Sequence, residues 1–391
     1  MKVSLIHSVF LSHRNGVNTV LHNLINNKDI FASQGIELKV LAPDTFQSRS
    51  FETSALTFKD RMKRLVTQKL TKMANWSSLC ASLMMYIREV RFSKKMAIKY
   101  LNTSPDVNEV VFVHSFFLCY YYLKYRSQKQ KVVLVLHNNG DTFKMYRTYY
   151  KALEKSFYYK LMLKMEAYVL SSVDRINFVS KNSKKEFLKL HPSISPDKVF
   201  YIYNGIDNKS LSRMYEIHRP IEICCVASIS ERKGQRNVIE ALKNFGSVIP
   251  NVHFTFIGEG EIRPSLELKV KEYNLENYVT FVGVSNDVES YLSKSDIFML
   301  PSMDEGLPMS IIEAMRAGLP IVSCPVGGIP EMVVTGENGV LIEPSIKGVY
   351  EFLSLIDKYD WGYMSKRSRL TFEQKFTSDK MVVEYCNLLT F

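Results

Sequence analysis

The chain has 391 residues, 46% of them hydrophobic, and its 51 Lys and Arg against 39 Asp and Glu residues give a net charge of +12. A chain of this length is longer than those that usually fold around a single hydrophobic core, so we expect two domains of roughly 200 residues each. The apolar runs are far shorter than the roughly 20 residues that cross a bilayer, which argues against a membrane-spanning segment.

The six cysteines bear on metal binding and on the compartment. They show neither CxxC spacing nor nearby histidine partners, so they do not indicate a zinc site. Their apolar neighbours are typical of reduced thiols that pack as small hydrophobic residues, which favours a cytoplasmic protein. These cysteines are Cys80, Cys119, Cys224, Cys225, Cys324 and Cys386.

The charge is unevenly distributed along the chain. Residues 1–219 contain 35 Lys and Arg and 16 Asp and Glu, whereas residues 220–391 contain 16 and 23. A basic field of that size attracts polyanions, which include nucleic acid, an anionic membrane leaflet and a phosphate-bearing substrate. A basic face that contacts only solvent is the alternative.

The first half alternates short β-branched runs with helical stretches, as a parallel sheet built from strand–helix units does. The N-terminal MKVSLIHSVF has one lysine and no long apolar region, so we interpret it as a first strand and not as a signal peptide. The predicted strands are Lys2 to Ile6, Leu38 to Leu41, Val110 to His114, Val132 to His137, Arg175 to Val179 and Val199 to Tyr203.

The same alternation restarts after a polar stretch at 208–219, which we interpret as a linker. The sequence therefore predicts an α/β protein with two doubly wound domains, residues 1–207 and 220–371. Ligands of such sheets bind beyond the carboxyl ends of the strands, so we expect the site in the cleft between the domains. The predicted strands of the second domain are Ile221 to Ala227, His253 to Ile257, Val279 to Val282, Ile297 to Leu300 and Pro320 to Ser323.

A basic turn follows the first strand of the second domain. The segment SERKGQ, residues 230–235, sets Arg232 and Lys233 beyond the carboxyl end of that strand, and Gly234 lets the backbone approach a ligand. Two cations at this position would neutralise the charge of a departing diphosphate. The alternative is a basic turn in solvent.

Gly258-Glu259-Gly260 follows the next predicted strand. It resembles the start of a dinucleotide-binding fingerprint, but Arg263 occupies the position of the third glycine, so that interpretation fails. We expect a tight turn between a strand and a helix.

The segment from Leu300 to Glu331, LPSMDEGLPMSIIEAMRAGLPIVSCPVGGIPE, carries the most informative pattern. Pro308 and Gly318 predict the start and the end of a helix. The unpaired N–H groups at a helix start favour phosphate, and here they are expected at Gly306, Leu307, Met309 and Ser310.

Two glutamates accompany this helix start. Glu305 precedes the helix, and Glu313 lies within it, ~7 to 8 Å along the axis from Pro308 at a rise of about 1.5 Å per residue. That span is comparable to the reach from a diphosphate to a ribose, so one carboxylate would accept hydrogen bonds from a sugar and the other from a ribose. The alternative is a helix-dipole partner for Glu305 and a surface charge for Glu313.

Together these segments resemble family 4 of the retaining glycosyltransferases, whose members have the GT-B fold. In the second half the resemblance rests on VASISERKGQ, FTFIGEGE, VTFVGVSNDVESYLSKSDIFMLPSMDEGLPMSIIEAMRAGLP and GGIPEMVVTGENGVLI, which follow in the family's order. In the first half it rests on YNGID at 203–207 and, more loosely, on the strand ending at His137 and the turn at Asn15 and Gly16.

The resemblance implies two Rossmann-like domains that face an interdomain cleft. Residues 1–207 would bind the acceptor, residues 220–371 would bind the nucleotide sugar, and residues 372–391 would cross back onto the first domain. Closure of the cleft by a hinge motion is then expected.

The resemblance also implies roles for single residues. Glu305 and Glu313 correspond to the family's EX7E pair, so Glu305 with Gly306 and Leu307 would hold the donor sugar and diphosphate, and Glu313 the ribose. Lys233 would hold the diphosphate. The remaining implied contacts are Gly283 and Val284 with the base, His137 with the donor sugar, and Gly16 with the phosphate. We expect Glu305, His137 and Lys233 to be catalytic, with a buried structural histidine as the alternative for His137.

Two positions depart from the family pattern. Many members have an arginine five residues before the lysine, where this chain has Ser228, and Arg232 is our candidate for the missing charge. The first loop has Asn15 before Gly16 in place of paired glycines.

The chemistry implied is transfer with retention at the anomeric carbon, in which the departing diphosphate takes the acceptor proton. The sequence offers no carboxylate pair for a double displacement. It also has no Asp-x-Asp motif, so we expect neither a metal nor a cofactor beyond the donor, which is expected to be a UDP-sugar. The expected product is a cell-surface polysaccharide of the capsule, O-antigen or lipopolysaccharide type.

Residues 58–100 and 143–168 place Lys and Arg between apolar and aromatic residues at near-helical spacing. That pattern suits an anionic membrane surface, so we hypothesise that the first domain rests peripherally on the cytoplasmic leaflet and receives a polyprenyl-linked or other glycan acceptor. The alternative is a helix with a core aromatic face and solvated lysines.

Two other classes of function remain to be distinguished. A nucleic-acid-binding module would use the basic half but leaves Glu305 and Glu313 unexplained, and the sequence has no recognised nucleic-acid motif. A sugar-nucleotide epimerase on the same fold would need an acid and a base placed over the sugar ring.

Overall fold

The computed structural model describes residues 1–11, 15–46, 66–67, 69–209 and 217–391. These residues form two compact units. The first contains Met1–Val179, Ser183–Ile202 and Val382–Phe391, and the second contains Ser180–Asn182 and Tyr203–Met381. Much of the predicted linker, residues 210–216, lies outside the described part of the chain.

The first unit is built on six parallel strands. They are β1 (Lys2–Ile6), β2 (Glu37–Leu41), β3 (Val110–Val113), β4 (Val132–Leu136), β5 (Arg175–Phe178) and β6 (Val199–Tyr201), in the order β2-β1-β3-β4-β5-β6. The two central strands, VVFV and VVLVL, are buried at every position. Continuous burial is typical of parallel strands that are covered on both faces.

Helices surround this sheet. They are α1 (Gly16–Asn26), α2 (Lys28–Ser33), α3 (Ser78–Met85), α4 (Arg91–Leu101), α5 (Phe116–Tyr125), α6 (Lys144–Tyr149), α7 (Phe157–Ser172) and α8 (Lys181–Leu190), with a π-helical stretch, Tyr86–Val90, between α3 and α4. Asn15 caps α1, because its side chain accepts a hydrogen bond from Asn18 N at 2.9 Å. The connection from β2 to β3 is long and contains both α3 and α4.

The second unit has its own parallel sheet of six strands. They are β7 (Ile221–Val226), β8 (Val252–Ile257), β9 (Val279–Gly283), β10 (Ile297–Leu300), β11 (Ile321–Ser323) and β12 (Gly339–Leu341), in the order β12-β11-β10-β7-β8-β9. The helices that follow α8 in the chain are α9 (Gln235–Asn244), α10 (Arg263–Glu272), α11 (Val288–Lys294), α12 (Met309–Arg316), α13 (Ile329–Met332), α14 (Ile346–Ser354), α15 (Trp361–Lys375) and α16 (Ser378–Leu389).

The eleven strands predicted from the sequence are confirmed, with ends that differ by at most two residues. The edge strand β12 was missed because it has three residues and begins at a glycine. A Cβ atom on Gly339 would lie 1.9 Å from the carbonyl oxygen of Ile321, so only glycine allows β12 to approach β11 this closely. The predicted helix after Pro308 begins at Met309, with Pro308 in the capping position.

Both sheets have the doubly wound form, and the predicted fold class is confirmed. The strand order reverses between β1 and β3 in the first sheet and between β7 and β10 in the second. Within the described ranges, no helix has the length and apolar character that crossing a membrane requires.

Candidate functional site

The predicted site residues of the second unit converge at the carboxyl edge of its sheet. Ligands of doubly wound sheets bind where the strand order reverses, which in this unit is the gap between β7 and β10. Arg232 and Lys233 follow β7, and Glu305 follows β10. The fold therefore brings together two cations and a carboxylate that are about seventy residues apart in the sequence.

Lys233 and Glu305 form a buried ion pair. Lys233 Nζ lies 2.5 Å from Glu305 Oε1, and the two side chains are only 12% and 8% exposed. Arg232 Nη1 lies 3.6 Å from the same carboxylate oxygen and donates a 2.5 Å hydrogen bond to the carbonyl oxygen of Asp304. Arg232 Nε is buried and has no hydrogen-bond partner among the described residues.

Close backbone packing fixes the turn that carries the two cations. Gly234 has a φ of 77°, and a Cβ atom at this position would lie 2.0 Å from the carbonyl oxygen of Pro301. The N–H of Met303 donates to the carbonyl oxygen of Arg232 at 2.8 Å. The turn after β7 is thus held directly against the loop after β10, which sets the distance between Lys233 and Glu305.

A second loop packs against the backbone of Glu305. Gly327 has a φ of 57°, and a Cβ atom there would lie 1.7 Å from the carbonyl oxygen of Glu305. The N–H of Gly328 donates to the carbonyl oxygen of Gly306 at 2.8 Å. Asn204 Nδ2 donates to the carbonyl oxygen of Leu307 at 3.2 Å. Neighbouring loops therefore contact the backbone carbonyl groups of three successive residues, Glu305, Gly306 and Leu307, and restrict the conformation of this segment.

The helix α12 presents its N-terminus beside this pair. Within the described chain, the N–H groups of its first two residues, Met309 and Ser310, have no carbonyl acceptor one turn earlier and can bind an anion, whereas the N–H of Ile311 donates to the carbonyl oxygen of Pro308 at 3.2 Å. Glu313 lies on α12 and is partly buried. Burial raises the pKa of its carboxyl group to about 7, although Arg316 acts in the opposite direction.

Gly283 and Val284 lie at the end of β9, on the same edge of the sheet. Gly283 has a φ of 84°, and Val284 is exposed. The neighbouring turn at 258–260 is the tight connection expected from the sequence. Cβ atoms on Gly258 and Gly260 would lie 2.0 and 1.9 Å from the carbonyl oxygens of Ala227 and Ile229. Glycine is therefore required here by the backbone of the neighbouring loop.

The other predicted residues, Gly16 and His137, belong to the first unit. Gly16 is the exposed first residue of α1, and residues 12–14 of the same loop lie outside the described part of the chain. His137 directly follows β4 and is partly exposed. Each therefore lies beyond the carboxyl end of a strand of the first sheet.

His137 belongs to a histidine cluster, His7, His114 and His137, that the sequence analysis missed. His114 Nδ1 lies 2.9 Å from His137 Nε2, and His7 Nε2 lies 3.1 Å from Asn18 Oδ1. Burial lowers the pKa of His7 to about 4 and that of His137 to about 3. Each of the three histidines directly follows a strand in the sequence, KVSLIH, VVFVH and VVLVLH, but only the order of the strands in the sheet brings them together.

Glu331 and Arg316 also escaped the sequence analysis. Glu331 accepts hydrogen bonds from the backbone N–H groups of Lys181 and Asn182 and from the hydroxyl group of Tyr203. Arg316 pairs with Asp207 at 2.6 Å and with Glu289 at 2.5 Å. Within the described residues, no group of three or more His, Cys, Asp or Glu side chains has the arrangement of a metal site.

Family models match nearly the whole chain. The model for "Glycosyltransferase Family 4" matches residues 14–210, and the model for "Glycosyl transferases group 1" matches residues 209–358. The chain belongs to glycosyltransferase family 4. The family resemblance of the sequence is thereby confirmed, and the roles of the single residues stay predictions.

Curated proteins of similar sequence also include glycosyltransferases. The amylovoran biosynthesis glycosyltransferase AmsK of Erwinia amylovora is 35% identical over 133 residues, 32% of this chain and 33% of AmsK. A phosphatidylinositol N-acetylglucosaminyltransferase protein of Homo sapiens is 32% identical over 188 residues, 47% of this chain and 38% of that protein. The chain thus matches only about a third of the length of these curated relatives.

A solved structure matches over the full length. The structure of Anabaena Alr3699/HepE in complex with UDP and glucose has a TM-score of 0.66 with 16% identity, and the match covers 100% of this chain and 99% of that one. At this identity the likeness concerns the fold, and it agrees with the two Rossmann-like units expected of the GT-B fold.

The backbone support of Glu305 can be tested with a pair of glycines. We expect Gly327→Ala to lower the free energy of unfolding by about 3 kcal/mol or more, because it adds a clash with the Glu305 carbonyl to the strain of a positive φ. Gly336→Ala is the matched control, since Gly336 has a φ of 84° but nothing within 4 Å of its Cβ position, and we expect a loss of about 1 kcal/mol. Urea unfolding measures both, and equal losses would contradict the proposed contact.

Proposed function

We propose that this chain is a retaining glycosyltransferase that uses a nucleotide diphosphate sugar, with UDP as the nucleotide, and transfers a hexose-type sugar to a glycan or a lipid-linked saccharide. The product is a cell-surface polysaccharide or glycolipid. The observation that carries the proposal is the buried pair of Lys233 and Glu305 beside the N-terminus of α12.

The charges at this site suit a diphosphate. Lys233 and the first N–H groups of α12 supply positive charge where a leaving diphosphate accumulates negative charge. Arg232 has a buried Nε–H without a partner in the described chain and lies near Glu305, so it is placed to add a hydrogen bond to a phosphate oxygen. It would take over the charge that many family members supply at the position of Ser228.

The two glutamates suit the hydroxyl groups of the donor. Glu305 is fixed by its backbone contacts, so its carboxylate can accept from a sugar hydroxyl while one oxygen holds Lys233. Glu313, further along α12, would accept from the ribose hydroxyls. Gly283 and Val284 would contact the base through their backbone.

The proposed reaction retains the anomeric configuration. The bond between the anomeric carbon and the diphosphate oxygen breaks, and a bond from the acceptor oxygen to the same face of that carbon forms. The acceptor proton passes to the departing diphosphate oxygen, and no covalent intermediate with the protein is invoked. In this scheme Lys233 makes the diphosphate a better leaving group, and His137 contacts the transferred sugar.

The comparisons support this proposal in part. AmsK is a glycosyltransferase of amylovoran biosynthesis, the human relative is named for phosphatidylinositol N-acetylglucosaminyltransferase, and the Anabaena protein binds UDP and glucose. A UDP-sugar donor and a saccharide or lipid acceptor are the simplest extension of these names to this chain.

An exposed apolar stripe on the first unit supports a membrane-associated acceptor. It consists of Leu79, Leu83 and Tyr86, which are three or four residues apart and share one face of α3 and its π-helical continuation, together with Trp76, which lies in the turn before Ser77, the N-cap of α3. Trp76 is 91% exposed and Leu79 is 78% exposed, whereas Ala81, Met84 and Met85 are buried on the opposite face. A helix that is apolar on both faces normally needs a second apolar partner.

The surroundings of the apolar stripe favour a lipid surface as that partner. The N–H of Lys151 donates to Asn75 Oδ1 at 3.3 Å, which brings the segment before α7 next to the residue that precedes Trp76. Phe157, the first residue of α7, is 83% exposed. Lys72, Lys151 and Lys155 are exposed close by in the sequence. Aromatic residues with flanking lysines suit the headgroup region of an anionic bilayer, so we propose peripheral binding to such a leaflet.

The activity itself is tested by a screen of nucleotide sugars with candidate acceptors. Acceptor-dependent release of nucleoside diphosphate, with retention at the anomeric carbon by NMR, is the expected result. Interconversion of sugars without an acceptor would indicate an epimerase. Binding of oligonucleotides without any sugar chemistry would indicate a nucleic-acid-binding protein.

Lys233→Ala and Glu305→Gln should each lower kcat on the order of 100-fold, the usual effect of removing one group that stabilises charge in a transition state. Arg236→Ala is the matched control, because Arg236, the second residue of α9, forms a 2.5 Å ion pair with the exposed Glu231 and not with Glu305. We expect this control to keep a rate within about threefold of the unchanged protein. Near-normal turnover of both site variants would refute the assignment.

Glu313 predicts a pH dependence of donor binding. Its carboxyl group, with a pKa of about 7 in the free protein, must lose its proton to accept from two ribose hydroxyls. Affinity for a UDP-sugar should therefore fall up to about tenfold per pH unit below 7, with proton release on binding. Calorimetry in two buffers measures both effects. Glu313→Gln should abolish the dependence, and an unchanged dependence would exclude Glu313 as its source.

Removal of the apolar stripe should weaken membrane binding. We expect Trp76→Ser with Leu79→Ser to lower binding to vesicles with anionic lipid by about tenfold or more, because each side chain loses apolar area buried in the interface. Val248→Ser with Leu268→Ser is the matched control, since these apolar residues are similarly exposed on the second unit. Vesicle flotation measures binding, and equal binding of all three proteins would contradict the proposal.

A further inference from the structure

The members of the histidine cluster follow three neighbouring strands of the first sheet. His7 follows β1, His114 follows β3 and His137 follows β4. The rings of His114 and His137 have centroids 5.2 Å apart with an angle of 29° between their planes, and a 2.9 Å hydrogen bond joins Nδ1 of the first to Nε2 of the second. A direct bond between two imidazoles constrains where the protons lie.

Each ring in the cluster is neutral near pH 7. Burial lowers the pKa of all three histidines, and His137 and His7 lower that of His114 further. A neutral imidazole has one N–H donor and one acceptor nitrogen. Therefore only one of the two bonded nitrogens, His114 Nδ1 or His137 Nε2, carries a hydrogen. If His114 Nδ1 carries it, Nδ1 of His137 is an N–H donor; if His137 Nε2 carries it, Nδ1 of His137 is an acceptor.

Asn18 determines the proton position of His7. Asn18 Nδ2 donates to the carbonyl oxygen of Phe10 at 2.8 Å, so Asn18 Oδ1 is the acceptor for His7 Nε2. His7 thus carries its hydrogen on Nε2, and its Nδ1 is a buried acceptor without a partner in the described chain. An unpaired acceptor nitrogen is therefore already present in this cluster.

His114 allows two arrangements with different costs. Its Nε2 is buried and has no partner among the described residues. The centroid of the His114 ring lies 4.6 and 6.3 Å from the ring centroids of Phe112 and Tyr385. If His137 donated, this nitrogen would be a buried N–H without an acceptor, which is rare in proteins. If His114 Nδ1 donates, the same nitrogen is an unpaired acceptor, as in His7.

We propose that His114 is a positioning residue that donates from Nδ1 to His137 Nε2 and so holds His137 in its Nδ1–H form. His137 then presents an N–H donor to a hydroxyl oxygen of the transferred sugar. This inference rests on the proposed function for the identity of the ligand. A neutral donor suits this role, because positive charge develops at the anomeric carbon during sugar transfer and an imidazolium would oppose it.

The proton positions can be measured without any activity. Long-range ¹H–¹⁵N correlation spectra of the ¹⁵N-histidine-labelled chain distinguish the two neutral forms, and the loss of one signal set in His137→Gln assigns His137. We expect His137 and His114 in the Nδ1–H form and His7 in the Nε2–H form. His137 in the Nε2–H form overturns the proposal, whether or not the chain transfers sugar.

Two substitutions of His114 test the consequence for turnover. His114→Leu removes the donor, so the Nδ1–H signal of His137 should be lost and kcat should fall roughly tenfold, the effect of one hydrogen bond, while KM for the donor changes little. His114→Asn places an amide N–H near the former Nδ1, so it should restore the Nδ1–H form and most of the rate.

A purely structural role for His114 predicts a different pattern. Both variants would then lose rate in proportion to their loss of thermal stability, and the His137 spectrum would not differ between them; that result overturns the proposal. If the unchanged chain transfers no sugar while the spectra show the expected forms, the proposed function fails and the positioning of His137 by His114 stands.

Discussion

The reversal of strand order in each parallel sheet is the constraint on which the rest of the molecule depends. Where the order reverses, the two adjacent strands send their connections to opposite sides, so a gap remains beyond their carboxyl ends. In the second sheet this gap lies between β7 and β10 and holds Lys233 and Glu305. In the first sheet it lies between β1 and β3, the strands that His7 and His114 follow.

Burial of the Lys233–Glu305 ion pair costs hydration free energy, and the surrounding backbone reduces the net penalty by holding the two side chains in good geometry. Two ions removed from water lose hydration that their attraction repays only with good geometry. The geometry here depends on glycines: Gly234 lies against Pro301, and Gly327 lies against Glu305. These close approaches hold the loops in one arrangement before any ligand arrives, so the ordering cost of the site is met during folding rather than during binding.

The sequence predicted those parts of the molecule that depend on local pattern. Strand positions follow from apolar runs, and the meeting of Lys233 with Glu305 follows because both were expected beyond carboxyl ends of one parallel sheet. What it missed depends on tertiary contact. The strand β12 is too short for a pattern, and the raised pKa of Glu313 arises from burial that a helical position alone does not reveal. His114 was overlooked because a single histidine after a strand has no distinguishing neighbour in the sequence, whereas its bond to His137 exists only in the fold.

The two sheets differ in where the chain crosses from one side to the other. The connection that crosses the sheet comes after the second strand of the first sheet, from β2 to β3, and after the third strand of the second sheet, from β9 to β10. The connection from β2 to β3 contains α3, α4 and the apolar stripe. This connection is covalently joined to its sheet only at its two ends, Leu41 and Val110. Its helices nevertheless contribute Ala81, Met84 and Tyr100 to the buried core of the first unit. An engineered chimera that exchanges this connection must therefore supply apolar residues of matching size at these positions.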